Sequence, residues 1–288
     1  MNRLEIRDLS KAFGSEVVGL EPKIPLDADT CQLLQRVFDE RGLLLFRGLD
    51  IDKASQVYLS KMLVRKDTVA DDPTADDVDI EHEMYISNKR TKGIAPFGRL
   101  QFHTDAMWCD QPVEVLSLYG EDVEEPVVPT IFVSAVNGWN TLPAGLRQRV
   151  HGLSASHTAG QLRRGDLTDV LVATFQNARS TVAPIEFRHP RTGQTLLYVC
   201  EQMTQEIVDL LPDEGEPLIQ EIFDHMYQPD NQWSLYWRKG DLAVWDNISI
   251  QHARPNVMTD GPARTLRKFL FPSPKMSPEQ LPTFSNAG

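Results

Sequence analysis

Cysteine is scarce in this chain, with three among 288 residues: Cys31, Cys109 and Cys200. An odd number with neither paired nor metal-finger spacing predicts reduced thiols and argues against a disulfide framework. Long apolar runs are missing too, since none reaches the roughly 18 residues that span a bilayer, and residues 1–8 contain no apolar signal core. We therefore expect a cytoplasmic protein that makes no membrane contact.

Positive charge is in the minority, because 29 lysines and arginines face 41 aspartates and glutamates. The resulting net charge of -12 repels nucleic acid, so we expect no nucleic-acid partner. Internal repeats and low-complexity tracts are also missing. With 41% hydrophobic and 24% charged residues, the composition excludes disorder, collagen and coiled coil and is that of a globular protein.

Apolar spacing predicts few helices and many short strands. Helical periodicity covers residues 30–41 and 53–64, and later 142–153 and 217–226, where Pro217 suits a first helical turn. A short apolar run at 42–48 predicts a buried strand. From residue 99 strand-length runs dominate, at 100–108, 113–119, 130–135, 195–199, 233–237, 241–245 and 264–271. This pattern predicts a mainly β protein with flanking helices, a sandwich or jelly roll.

The length and the order of these patterns predict one domain, 1–288. Residues 1–95 are predicted to form an N-terminal α/β part that includes a long loop, and residues 96–275 a sandwich or jelly-roll core with a helical insertion. The loop at 67–83 is acidic and contains Asp71-Asp72-Pro73. Long loops of this kind often close over sites, so we expect it to act as a lid.

Histidine is the residue type that points to chemistry. His82 ends the acidic loop and is a candidate substrate residue. Four others lie in helical patterns or in a polar turn, and we expect structural roles for them: His151, His157, His189 and His225.

The remaining two histidines form a pattern with one carboxylate. His103 and Asp105 are two positions apart on a predicted strand and point to the same face. His252 follows a second predicted strand about 150 residues later. Two imidazoles and one carboxylate leave half the positions of an octahedral metal open, as in non-haem Fe(II) oxygenases. The same ligands suit catalytic zinc, so a zinc hydrolase is the alternative from another enzyme class.

The predicted strand at 264–271 carries basic residues on both faces. Alternation places Arg264 and Lys268 on one face and Arg267 on the other. A fixed guanidinium near a metal can bind a carboxylate through two hydrogen bonds, as anchoring 2-oxoglutarate requires.

At this point the chain resembles the TauD/TfdA family of Fe(II)- and 2-oxoglutarate-dependent dioxygenases over nearly its whole length. The resemblance rests on the run at 42–48 and on these motifs: His103-Thr104-Asp105, His189-Pro190-Arg191-Thr192-Gly193, Leu197-Tyr198-Val199, Trp237-Arg238-Lys239-Gly240-Asp241, Trp245-Asp246-Asn247 and His252.

The resemblance implies a double-stranded β-helix, which is a jelly roll, with His103, Asp105 and His252 as ligands of Fe2+. It implies that Arg264 and Thr130 bind the co-substrate 2-oxoglutarate. O2 is then the second co-substrate, and a small organic substrate is hydroxylated while succinate and CO2 are released. Desaturation or cyclisation with the same cofactors stays open, and a non-catalytic jelly-roll binding protein is a further alternative.

The resemblance also indicates the substrate residues. Lys268 stands where the best-known members carry a second arginine that binds the substrate's sulfonate or carboxylate. Because lysine keeps the charge, we expect an anionic substrate. Arg99, Ala106 and Met203 occupy further positions expected to line the pocket. Arg99 has an alternative explanation, an ion pair with the acidic loop. The sequence leaves open whether copies of the chain associate.

Overall fold

The computed structural model describes residues 4–22, 25–65, 84–160, 165–176, 178–273 and 283–286. Among these described residues strand outnumbers helix, 36% to 23%, so the predicted mainly β class is confirmed. The predicted lid at 67–83, and His82 within it, lie outside the described residues.

The helices are short and few within the described ranges. They are α1 (Ala28–Arg41), α2 (Lys53–Val64), α3 (Ala135–Asn140), α4 (Ala144–Val150) and α5 (Pro212–Met226), followed by a 3-10 turn at Pro229–Asn231.

The strands, in chain order, are β1 (Glu5–Asp8), β2 (Ser15–Val18), β3 (Leu43–Phe46), β4 (Met84–Ser87), β5 (Gly98–His103), β6 (Val115–Val123), β7 (Thr130–Ser134), β8 (Ser154–Thr158), β9 (Leu171–Thr174), β10 (Ser180–Pro184), β11 (Glu186–Arg188), β12 (Thr195–Leu197), β13 (Thr204–Ile207), β14 (Gln232–Leu235), β15 (Leu242–Asp246), β16 (Ile250–Val257), β17 (Arg264–Phe271) and β18 (Thr283–Asn286).

Local signals explain how the first two helices begin and how the first one ends. The Asp27 carboxylate accepts a hydrogen bond from the Thr30 amide at the start of α1, and Asp52 does the same for Ser55 at the start of α2. Gly42 ends α1 with φ 71° and lies against β16, where an added Cβ would meet Ile250 at 2.9 Å. The chain then turns directly into β3.

Two sheets enclose the central core. The larger one has the strand order β1-β2-β3-β15-β6-β17-β4, and the smaller one has the order β14-β7-β16-β5. Neighbours are antiparallel except for β2 and β3. One apolar cluster joins Leu43, Leu116 and Trp245 of the larger sheet to Phe132 and Ile250 of the smaller one. The space between the sheets is therefore a packed core.

Two further layers cover this sandwich. Helices α1 and α2 pack on the outer face of the larger sheet, where Phe38 and Leu59 meet Phe46 and Val244. On another side α3, α4 and α5 pack with β8, β12 and β13 around a second cluster that includes Trp139. The segment after β5 and the turn after β15 lie beside this helical layer, because Met107 and Ile248 belong to the same cluster.

Several predicted boundaries are confirmed and others are wrong. Helix α2 and strand β17 match residue for residue. The predicted helix at 217–226 begins five residues earlier, because Pro212 occupies the first turn and Pro217 lies inside the helix. The helix predicted at 142–153 is shorter, at Ala144–Val150. The strand predicted at 100–108 ends at His103, and this difference shapes the candidate site.

Candidate metal centre

Strand pairing brings the two candidate histidines together. His103, the last residue of β5, pairs directly with His252 of β16. Their ring centroids are 4.1 Å apart, and both side chains are buried. The Trp245 ring lies edge-on at 4.9 Å from His252 and helps to fix its plane. Residues about 150 positions apart in sequence thus become neighbours through one sheet register.

Asp105 joins them by a different route from the one predicted. It lies beyond the end of β5, so strand alternation does not bring it beside His103. The chain turns at residues 104–109, and Ala106 adopts a left-handed φ of 55°. This turn places Asp105 Oδ1 3.7 Å from His103 Nε2. The predicted proximity is confirmed, whereas the predicted strand geometry is wrong.

The three side chains fit a divalent metal ion. One ligand atom from each lies within 4.8 Å of the other two. His103 Nδ1 lies 2.8 Å from the backbone oxygen of Gln101, an arrangement that leaves Nε2 available as a ligand. His252 Nδ1 is buried and has no hydrogen-bond partner in the described part of the chain. A metal ion would satisfy nitrogen and oxygen atoms that no described protein group uses.

Electrostatics keep these groups in the state that metal binding needs. Burial lowers the pKa of both His103 and His252, which favours neutral imidazoles. Burial alone would raise the pKa of Asp105, but the opposing interactions, led by the charge of the Lys268 ammonium, outweigh it and hold that pKa below its usual range. Lys268 Nζ lies 2.6 Å from Asp105 Oδ2. Asp105 is therefore an ionised carboxylate with one oxygen on the histidine side and one on the lysine.

Arg264 and Thr130 are in direct contact, as the predicted co-substrate site requires. Arg264 is buried, and it donates from Nη2 to Thr130 Oγ1 at 2.9 Å and from Nε to the Val128 oxygen at 3.0 Å. Trp237 Nε1 donates to the same Thr130 oxygen at 2.9 Å. No carboxylate among the described residues forms an ion pair with Arg264, and burial lowers its pKa. A buried guanidinium that has no carboxylate partner favours an anionic ligand.

The remaining predicted residues are placed less closely. Arg99 donates to the backbone oxygens of Asp166 and Thr168, so its described contacts lie away from the three metal-ligand candidates. Its alternative partner, the loop at 67–83, lies outside the described residues, as does His82. Ala106 and Met203 both pack against the apolar cluster that includes Trp139, beside the candidate metal ligands. The face of β17 is as predicted, since Lys268 contacts Asp105 while Arg267 contacts Gln56 of α2.

Asn247 was given no role from the sequence, although its side chain hydrogen-bonds both the amide and the carbonyl oxygen of Asp105. Trp237, which binds Thr130, was also missed. Both lie in motifs that the resemblance rested on, so the signal was present and only the role was lacking.

The family model described as "Taurine catabolism dioxygenase TauD, TfdA family" matches residues 5–270. The chain belongs to this family. It is an Fe(II)- and 2-oxoglutarate-dependent dioxygenase, with O2 as the second co-substrate. The predicted family, enzyme class and cofactors are confirmed, and the zinc hydrolase and non-catalytic binding protein lose their support.

Curated relatives of this TauD/TfdA dioxygenase carry several names. An alkylsulfatase of Acinetobacter baylyi is 26% identical over 90% of this chain and 82% of its own length. A pentalenolactone F synthase of Streptomyces avermitilis is 24% identical over 84% and 86%. The alpha-ketoglutarate-dependent 2,4-dichlorophenoxyacetate dioxygenase of Cupriavidus pinatubonensis is 24% identical over 85% and 89%.

Solved structures confirm the jelly-roll fold. A taurine dioxygenase from Burkholderia xenovorans superimposes with a TM-score of 0.71 at 22% identity, covering 92% of this chain and 89% of its own. AAD-2 in complex with Mn(II) and N-oxalylglycine gives 0.72 at 18% identity, covering 92% and 96%. Within the described residues, every helix is too short or too polar to cross a bilayer.

Proposed function

We propose that His103, Asp105 and His252 hold the Fe(II) of this dioxygenase and that Arg264 and Thr130 hold the distal carboxylate of 2-oxoglutarate. The observation that carries this assignment is the group of two buried histidines and one partly buried aspartate whose ligand atoms lie within 4.8 Å of one another. When bound, the metal and its co-substrate supply the oxidising chemistry with O2 and release succinate and CO2. The residues of the chain bind and orient these groups.

The hydroxyl of Thr130 has a defined direction in this proposal. Its oxygen accepts hydrogen bonds from Trp237 and Arg264, which leaves its own proton free to donate. Arg264 has donors beyond the two that its described contacts use. The two side chains together therefore offer a hydroxyl and a guanidinium to one carboxylate, as bidentate recognition requires.

Anaerobic titration tests this assignment. Fe(II) followed by 2-oxoglutarate should produce the weak visible charge-transfer band of a chelated keto acid. His252→Ala should abolish the band, and Arg264→Met should require at least about tenfold more 2-oxoglutarate, because a charge-assisted hydrogen bond contributes about 1.5–3 kcal/mol. Arg267→Met, a buried arginine on the opposite face of β17, is the matched control and should titrate like the unaltered protein. A folded protein without the band would contradict the proposal.

We further propose that the substrate is a small organic anion bound by Lys268. The ammonium lies beside the proposed metal ligands, and its contact with Asp105 uses one of its three donors. Two relatives are named for anions, the alkylsulfatase and the 2,4-dichlorophenoxyacetate dioxygenase. Arg99 supports this less, because its described contacts are backbone oxygens elsewhere.

A substrate screen with a matched pair of variants tests the anion. With sulfates, sulfonates and carboxylates as candidates, Lys268→Met should raise KM about tenfold or more at a nearly unchanged kcat, and Lys268→Arg should restore binding. Lys89→Met, an exposed lysine, is the control. An equal preference of the unaltered enzyme for uncharged analogues would overturn this proposal and leave the metal assignment intact.

We propose hydroxylation as the outcome, because the resemblance favours it over desaturation or cyclisation. Mass spectrometry separates hydroxylation, which adds one oxygen atom to the product, from desaturation and cyclisation, which each remove two hydrogens. We also propose a single domain, because β1, β2 and β3 of the predicted N-terminal part share a sheet with β15.

A cytoplasmic location is supported by the three free cysteines and tested by cell fractionation.

A further inference from the structure

Asn247 is a buried side chain that grips the backbone of Asp105. It begins the turn between β15 and β16 and is fully buried. Its Oδ1 accepts a hydrogen bond from the Asp105 amide at 3.1 Å, and its Nδ2 donates to the Asp105 oxygen at 3.0 Å. The same Nδ2 donates to the Val113 oxygen at 3.1 Å. One carboxamide therefore satisfies both polar backbone groups of Asp105.

Asp105 needs such a partner because it lies beyond the last residue of β5 and has no strand neighbour among the described residues to hydrogen-bond its backbone. Strand β5 ends at His103, so the ladder that fixes the histidine does not extend to the carboxylate. The next residue, Ala106, holds a left-handed φ of 55°, which is unfavourable for a residue with a Cβ. Asn247 supplies the two hydrogen bonds that a neighbouring strand would otherwise supply.

Asn247 is itself held firmly. Its backbone amide donates to the Glu114 oxygen at 3.0 Å. The preceding Asp246 accepts from the Ile248 and Ser249 amides, so the turn that follows β15 is closed by its own side chain. Because this turn joins β15 to β16, Asn247 fixes the position of Asp105 relative to both strands, the second of which carries His252.

We propose that Asn247 is a positioning residue for the metal-binding carboxylate. By clamping the Asp105 backbone it keeps Oδ1 on the side of the histidines while Oδ2 remains with Lys268. This inference rests on the proposed metal site but concerns a side chain that does not touch the metal. Outer partners of metal ligands typically change metal affinity about 10- to 100-fold when they are removed.

Co(II) titration of the metal-free protein tests the proposal, with the visible absorption of the ion as the readout. Asn247→Leu removes all three side-chain hydrogen bonds at similar volume. Asn231 is the matched control, since it is also buried and makes three side-chain hydrogen bonds, to Asn137, Ser134 and Met226. We expect Asn247→Leu to bind Co(II) about 10- to 100-fold more weakly with an altered absorption spectrum, and Asn231→Leu to bind it within about twofold of the unaltered protein.

A second variant, Asn247→Asp, tests the donating nitrogen by itself. Asn247→Asp keeps the shape and the acceptor for the Asp105 amide but replaces the donating nitrogen with oxygen. Its added charge attracts a cation, so weaker Co(II) binding by this variant cannot come from long-range electrostatics. Circular dichroism establishes that each variant is folded before titration.

The outcomes separate this inference from the metal assignment. Should His252→Ala bind Co(II) like the unaltered protein, the proposed metal site fails, and Asn247 loses its role with it. Should His252→Ala lose binding while both folded Asn247 variants keep it, the metal site stands and the positioning role is overturned. Equal losses in the Asn231 control, or no folded Asn247 variant at all, would show a general structural role instead and also overturn it.

Discussion

Within the described part of the chain, a buried histidine lies beside an aspartate at two places, His189 with Asp246 and His103 with Asp105, and the two pairs differ in how far their hydrogen-bonding capacity is used. In one, His189 Nε2 lies 3.1 and 3.0 Å from the two oxygens of Asp246, and His189 Nδ1 accepts from the amides of Arg191 and Thr192. In the other, His103 Nε2 and Asp105 Oδ1 are 3.7 Å apart, which is too long for a hydrogen bond.

The surroundings of the two carboxylates enlarge the difference. Asp246 also pairs with Arg191 and accepts from two backbone amides, so its oxygens are saturated. Asp105 has Lys268 on one oxygen and leaves the other facing the histidines. Both pairs consist of a histidine and an aspartate, but only Asp105 keeps a carboxylate oxygen that can bind a ligand. A saturated pair holds the fold, and an unsaturated pair can accept a metal ion.

The largest expected effect comes from removing the unsaturated carboxylate. Asp105→Ala takes away a direct metal ligand, so Co(II) affinity should fall by at least about a thousandfold, which is about 4 kcal/mol. Asp246→Asn should change that affinity by less than about tenfold, because it acts only through its neighbours. Isothermal titration calorimetry compares the two variants. Equal losses would show that the distinction between the pairs is wrong.

Stability should respond in the opposite order. Removing one partner of a buried ion pair typically costs about 3–5 kcal/mol. Asp246→Asn takes the carboxylate away from His189 and leaves Arg191 with Asp39 alone. We expect a loss of about 3 kcal/mol in the free energy of unfolding, measured by urea denaturation in EDTA. Asp105→Asn should cost less than Asp246→Asn, because it breaks one ion pair. The comparison breaks down if Asp105→Asn is the more destabilising variant.

Another buried histidine, His157, sharpens the comparison, because the described contacts give it no carboxylate. His157 is fully buried, its Nδ1 lies 3.1 Å from Thr204 Oγ1, and burial lowers its pKa from 6.5 to about 4. The unfolded state therefore binds the proton more readily, so this histidine contributes stability above pH 6.5 that is lost as the pH falls towards 4.

His157→Gln isolates this contribution, since glutamine does not titrate. Between pH 7 and pH 5 the unfolding free energy of the unaltered protein should fall by about 2 kcal/mol relative to that of the variant. Urea denaturation of both proteins at the two pH values measures the difference. A difference that does not change with pH would mean that His157 is not held neutral in the folded protein.

Patterns that depend on neighbouring residues were predictable, as α2 and β17 show. Alternation along β17 correctly separated Lys268 from Arg267, because a strand of eight residues fixes two faces. The same rule failed at Asp105, where the strand ends after His103. In the turn that follows, the Asp105 backbone is hydrogen-bonded by Asn247, a residue more than 140 positions away, and no local pattern contains that information.

The two histidine–aspartate pairs show the same limit. His103 was separable from His189 only through the spacing of a short motif and the family resemblance. Whether a carboxylate is saturated depends on amides and arginines that folding brings together, such as Arg191 beside Asp246. The ligand candidates could therefore be named from the sequence. The sequence could not show why the Asp105 carboxylate keeps an oxygen available for a ligand while the oxygens of Asp246 are fully hydrogen-bonded.

The smallest expected effect concerns the strain beside the open carboxylate. Ala106 has a φ of 55°, where glycine avoids a steric cost, although glycine also loses more chain entropy on folding. Ala106→Gly should therefore raise the free energy of unfolding by about 0.5 kcal/mol. Because glycine lets the turn move, Co(II) affinity should fall about twofold. Ala95→Gly is the matched control, with a φ of 47° and no contact with Asp105 among its described interactions.

The Ala106 and Ala95 variants thus distinguish strain that serves a site from strain that does not. Both should gain stability, measured by urea denaturation, and only Ala106→Gly should lose metal affinity. If Ala106→Gly is less stable than the unaltered protein, the left-handed turn carries no relievable strain, and Asn247 alone holds Asp105 in place. If both variants lose metal affinity equally, general loosening of the chain explains the effect and the turn has no particular role.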